Sequence, residues 1–152
     1  MPGAELEREL EWVERVAAFL TADGIPPIAG RILGWLMICD PPEQSAAEIS
    51  VAIGASRASL TTNLRMLLTL QLLIRRTKPG ERTAYYQVDE QAWITVVRRQ
   101  IASLATFTSI TADGLDLIGP DSSRATRILA AQRVFTWMTE VFQNAPPPPD
   151  TR

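Results

Sequence analysis

Residues 45–88 read SAAEISVAIGASRASLTTNLRMLLTLQLLIRRTKPGERTAYYQV, and this stretch decides the fold. Ser45 and Glu48 have the S-x-x-E spacing of a capping box. In that device the hydroxyl accepts from an orphan first-turn amide, and the carboxylate reaches back to the cap amide. A short helix should follow, with Ile49 and Ile53 four apart on one face. Gly54 should end it, since glycine takes the left-handed conformation without a Cβ clash. Ser56 can cap a second helix, whose Leu60, Leu64, Leu67 and Leu68 form the expected buried stripe. The opposite face carries Arg57, Thr61, Thr62 and Arg65, with Ser59 and Asn63 at its edges. Residues 72–77 and 83–88 read as strands. Between them Lys78-Pro79-Gly80-Glu81 suits a type II turn, with proline at its second position and glycine at its third.

Two short helices and a tight turn, followed by a basic hairpin, make a winged helix-turn-helix, whose usual target is duplex DNA. The residue types point the same way. No Asp or Glu lies between Glu48 and Glu81. A solvated helix face ordinarily mixes acids with lysines, whereas this one offers hydroxyls, an amide and two arginines. Such groups hydrogen-bond phosphates and base edges, and arginine suits guanine O6 and N7. The candidate DNA-binding residues are therefore Ser56, Arg57, Ser59, Thr61, Thr62, Asn63 and Arg65 on the second helix. Arg75, Arg76, Lys78 and Arg82 on the hairpin complete the set, where a cation can straddle the backbone or enter the minor groove. The alternative is a winged-helix protein–protein interaction module without DNA binding, with a charged hairpin that only discourages strand-on-strand aggregation.

Charge is distributed to match. Residues 45–88 hold six Lys/Arg and two Asp/Glu, residues 1–44 hold three and eight, and residues 89–152 hold six and seven. The three nets are +4, −5 and −1, giving the overall −2. Screening over roughly 8 Å lets a local positive face act despite the net negative charge.

Helix, helix and wing, enclosed by helices on both sides, resemble the multiple-antibiotic-resistance-regulator (MarR) family of bacterial repressors. The segment GIPPIAGRILGWLMICDPPEQSAAEI, residues 24–49, is similar to the branch typified by the regulator of glycine betaine synthesis (GbsR-like), and so is the wing phrase PGERTAYY, residues 79–86. The resemblance spans roughly residues 5–112. It implies a homodimer on a palindromic operator, with a small-molecule effector in many members. At one position the chain departs from the pattern: Gln71 stands where the family usually has glycine, at the turn out of the second helix.

The expected fold class is mainly α with a small β-hairpin. One MarR-like domain would cover residues 1–144, with the winged helix-turn-helix at about 25–88 and dimerisation helices at about 5–22 and 90–143. In the first flank Leu6, Leu10, Val13, Ala17 and Leu20 form a stripe, ended by Asp23-Gly24. Pro26 or Pro27 opens the next helix, where Gly30 and Gly34 let a neighbour approach, and Pro41-Pro42 stops it. After the wing Asp89 should cap a long helix carrying Trp93, Val97, Ile101, Leu104 and Thr108. Gly114 and Gly119-Pro120 are expected to break the chain. A last helix, about 122–143, carries Ile128, Ala131, Phe135, Met138 and Phe142 near heptad spacing. Residues 145–152 read as a proline-rich disordered tail.

Catalysis finds no support. There is no histidine, no nucleotide-binding loop and no nucleophile elbow. Asp113 and Asp116 are expected in a loop as a solvated pair. A lone Cys39 excludes an intrachain disulfide and a multi-cysteine zinc site, and its apolar neighbours suggest a buried, inert thiol. No cofactor or metal is expected. The acidic N-terminus does not read as a signal peptide, and no unbroken apolar run approaches the ~20 residues of a membrane span. A cytoplasmic protein without a membrane partner is the expectation. Trp12, Trp35, Trp93 and Trp137 lie on expected helices, either filling core and dimer contacts or forming an aromatic cage for a quaternary ammonium.

Overall fold

The computed structural model describes residues 2–149. It divides into two compact units, one running up to Ala92 and the other from Trp93 onward.

The first unit contains α1 (Pro2–Ala22), α2 (Pro27–Ile38), β1 (Gln44–Ser45), α3 (Ala46–Ile53), α4 (Arg57–Thr69), β2 (Leu73–Thr77) and β3 (Ala84–Val88). α1 starts earlier than expected, and its Val13, Ala17 and Leu20 are buried while Leu6 is exposed. α1 and α2 pack closely because α2 offers glycines there. A Cβ on Gly30 would lie 2.9 Å from the Ala17 Cα, and one on Gly34 would lie 3.3 Å from the Val13 carbonyl oxygen. Pro27 occupies the first turn of α2, where its missing amide costs nothing. Ile32, Leu33, Ile49, Leu60, Leu67 and Leu72 complete a core of fully buried side chains.

The sheet corrects the expected two-stranded hairpin. It has three strands in the order β1-β3-β2, with both pairings antiparallel. Gln44 pairs with Tyr86 and Ser45 with Tyr85, so the residue that caps α3 is also tied to the wing. The strands begin one residue later than expected, leaving Leu72 and Thr83 outside.

The second unit contains α5 (Ala92–Ile118, whose first residue closes the first unit) and α6 (Ala125–Gln143). Asp89 leads into α5 through a turn: its carboxylate accepts from the Gln91 amide and its carbonyl from the Ala92 amide. Gly114 does not break the chain. α5 runs through it, and a Cβ there would stand 3.3 Å from Ile128 of α6. The glycine therefore serves a close helix–helix approach, and Asp113 and Asp116 sit exposed on a helix rather than in a loop. The break comes at Gly119, whose φ is +85°. α6 starts three residues later than expected. Phe107 and Phe135 meet with ring centroids 4.5 Å apart and planes tilted by 54°.

α5 is also long and apolar enough to cross a membrane by length and composition. Arg98, Arg99, Asp113 and Asp116, with scattered Ser, Thr and Gly residues, interrupt the run, which is why no unbroken stretch stood out. The tail from Ala145 to Pro149 is irregular and exposed, and residues 150–152 lie outside the described residues.

Candidate nucleic-acid interface

The capping box at α3 is formed as its spacing requires. The Glu48 amide donates to Ser45 Oγ at 3.2 Å, and the Ser45 amide donates to Glu48 Oε2 at 2.8 Å. Gly54 closes α3 with φ +66°, and the Ser59 amide donates to Ser56 Oγ at 3.2 Å to start α4. These local devices set the turn between the helices.

α4 buries Leu60, Leu64 and Leu67, while Leu68 is only half-buried because it lies at the border of the stripe. Arg57, Thr61, Thr62 and Arg65 are exposed, and Ser59 and Asn63 are half-buried beside them. Arg57, Thr61 and Arg65 recur every four residues, so they form one row. Thr61 donates to the Arg57 carbonyl at 2.8 Å and Thr62 to the Ala58 carbonyl at 3.3 Å. Asn63 Nδ2 donates to the Ser59 carbonyl at 2.7 Å. The free chain thus engages these donors within α4, and rotation of each side chain turns a hydrogen towards a phosphate. The arginines are held by no carboxylate among the described residues.

The wing turn takes the expected shape. Gly80 has φ +79°, and the Glu81 amide donates to the Lys78 carbonyl at 3.0 Å. Arg75, Arg76 and Arg82 are exposed and unpaired among the described residues. Lys78 differs. Its Nζ lies 2.9 Å from Glu43 Oε1 and 4.3 Å from the centroid of the Tyr85 ring. The bond to Glu43 raises the lysine above its usual pKa. Tyr85 donates its hydroxyl to Glu81 Oε2 at 2.9 Å, and that bond raises the phenol. Trp35 Nε1 donates to Gln44 Oε1 at 2.7 Å, which fastens β1 to α2. Nothing in the sequence spacing links Glu43 and Tyr85 to Lys78, or Gln44 to Trp35, so these contacts were not foreseen.

The sequence-derived site residues thus fall on two neighbouring elements of one unit, α4 with its cap and the β2–β3 hairpin.

A family of MmpR5-like MarR family transcriptional regulators matches residues 91–144 of the chain. The HTH-type transcriptional regulator MmpR5 of Mycobacterium tuberculosis is 30% identical over 137 residues, covering 90% of this chain and 83% of the relative. The chain belongs to the MarR family of transcriptional regulators. A crystal structure of a transcriptional regulator superposes with a TM-score of 0.70 at 28% identity, covering 90% of this chain and 94% of that one. The MarR assignment agrees with the winged helix-turn-helix in the first unit, although the matched family segment lies on α5 and α6.

Cys39 is half-buried rather than buried. Its thiol donates weakly towards the Leu36 and Pro42 carbonyls at 3.8 and 3.6 Å. Desolvation pushes its pKa up to about 11, against the thiolate chemistry of a redox sensor.

Proposed function

We propose that the protein is a homodimeric repressor that binds a palindromic operator. Each protomer lays α4 in a major groove and sets the wing over the adjacent backbone or minor groove. One observation carries this reading: the exposed face of α4 and the wing offers five arginines without carboxylate partners among the described residues, in a stretch free of acids from Ile49 to Gly80. Arg57 and Arg65 read base edges, and Ser56, Ser59, Thr61, Thr62 and Asn63 contribute phosphate and base-edge contacts. Arg75, Arg76 and Arg82 act on the backbone and groove potential.

The dimer reading rests on the second unit. Val97, Ile110, Leu117, Val134, Trp137 and Val141 are all exposed there, an apolar surface that calls for a cover. A second copy offers that cover, and a cytoplasmic dimer gives the apolar helix α5 a partner without a bilayer.

The experiment is recovery of bound DNA from random genomic fragments. An operator with inverted half-sites about 34–36 Å apart supports the reading. Recovery of a protein partner with no enriched DNA would replace it with the interaction-module alternative.

Control by a small-molecule effector belongs to the same proposal, and the GbsR-like phrases at 24–49 and 79–86 favour a quaternary ammonium. Trp35 is occupied in holding Gln44, whereas Trp12 lies with Glu5, Arg8, Glu9 and Ile38 along an open hollow of about 440 Å³, where the two carboxylates outnumber the one guanidinium. Quenching of tryptophan emission by choline, lost in Trp12→Phe, is the check.

A further inference from the structure

The four cations of the wing are not equivalent. Three are exposed guanidiniums with no carboxylate partner among the described residues. The fourth, Lys78, has its ammonium between the Glu43 carboxylate and the Tyr85 ring, and Tyr85 is itself held by Glu81. An ammonium whose charge is already balanced has little to gain at a phosphate, because the gain there comes from neutralising a bare phosphate and freeing its counterion.

The position of Glu43 gives this contact a purpose. Glu43 immediately precedes β1, whose Gln44 and Ser45 pair with Tyr86 and Tyr85 of the wing. Ser45 caps α3, the first helix of the helix-turn-helix, and Gln44 is bonded to Trp35 of α2. A two-residue strand supplies few ladder bonds. The pair between residues 43 and 78 adds a side-chain tie from the hairpin turn to the segment that starts the helix-turn-helix.

We propose that Lys78 and Glu43 are positioning residues, a latch that sets the wing against the helix-turn-helix while Arg75, Arg76 and Arg82 contact DNA. The purpose of the latch rests on the DNA-binding reading, but its existence does not.

The test compares Lys78→Met, Glu43→Ala and the exchange variant carrying Glu43→Lys with Lys78→Glu, all in the full-length protein. Binding is titrated with salt on cognate and scrambled duplexes, and amide hydrogen exchange is followed along β1 and β3. Each single substitution should weaken both duplexes by about two- to fivefold, the scale of a partly exposed ion pair. The slope of log affinity against log salt should stay as in the wild type. Exchange of the β1–β3 amides should quicken in both single variants and slow again in the exchange variant, which should also recover affinity. A slope lowered by about 0.9 in Lys78→Met, with tighter binding in Glu43→Ala, would make Lys78 a phosphate contact and overturn the latch. Unchanged amide exchange in the single variants overturns it as well. If the wild type binds no duplex, the DNA-binding reading fails, and the exchange rates alone decide whether the latch exists.

Discussion

The two units bury their apolar residues very differently. Up to Ala92 the chain has a continuous core, from Val13 and Leu20 through Ile32, Leu33 and Ile49 to Leu60, Leu67 and Leu72. From Trp93 onward only Leu115 and Ala125 are buried apolar residues among those described, while Leu117 is 85% and Trp137 58% exposed. Both units show amphipathic stripes in sequence. The comparison teaches that a stripe announces a partner without naming it. In α4 the partner lies in the same unit, and in α5 and α6 much of the stripe is left without one.

The strongest way to break this contrast is to remove α6. Deleting residues 121–152 should turn the proposed dimer into a monomer at micromolar concentration, as seen by sedimentation. It should also abolish the dependence of Tm on protein concentration, since subunit binding stabilises by mass action. A wild-type chain that sediments as a monomer would end the dimer reading at once.

A core substitution in the first unit comes next in size. Leu64→Ala removes a side chain that is 3% exposed, and should cost about 2–5 kcal/mol in denaturant titration. Val134→Ala, at a position 57% exposed, should cost far less in any folding measurement and act mainly on dimer dissociation.

Gln71 gives a smaller and opposite effect. It holds φ +62°, the left-handed conformation at the exit of α4. Gln71→Gly should stabilise the chain by about 1 kcal/mol, because a Cβ in that conformation crowds the following carbonyl. Loss of stability would mean that the glutamine side chain offsets the strain.

The smallest effect is expected at Cys39. With its pKa near 11 the thiol stays protonated at neutral pH, so a thiol reagent should react slowly and faster only as the pH approaches that value. Cys39→Ser should leave DNA affinity unchanged. Fast modification at pH 7 coupled to loss of binding would contradict this.

What could be read from sequence was local. The capping box at Ser45 and Glu48, the glycine stop at Gly54, the Ser56 cap and the type II turn at Pro79-Gly80 each depend on a few adjacent residues, and each formed as read. Gln71 stood out only against the family resemblance, which places glycine at that turn, and it keeps the left-handed conformation. What failed was non-local. β1 exists only through its pairing with Tyr85 and Tyr86, and Glu43 meets Lys78 only once that sheet is made. Gly114 was misread because a glycine that breaks a helix and one that admits a neighbouring helix look alike until Ile128 is placed beside it. The candidate DNA face was legible as a face, since its residues share one helix and one hairpin. The different state of Lys78 within it was not.

The central claim is that α4 reads sequence while the wing supplies general attraction. A salt titration of binding to cognate and scrambled duplexes, run for Arg57→Ala, Arg65→Ala and Arg82→Ala, tests it most directly. At least one of the two α4 substitutions should cost about 1–3 kcal/mol on the cognate duplex and relax preference at one base pair. Arg82→Ala should weaken both duplexes alike and lower the salt slope by about 0.9. If none of the three changes affinity for any duplex, the account is contradicted and the winged helix serves a partner other than DNA.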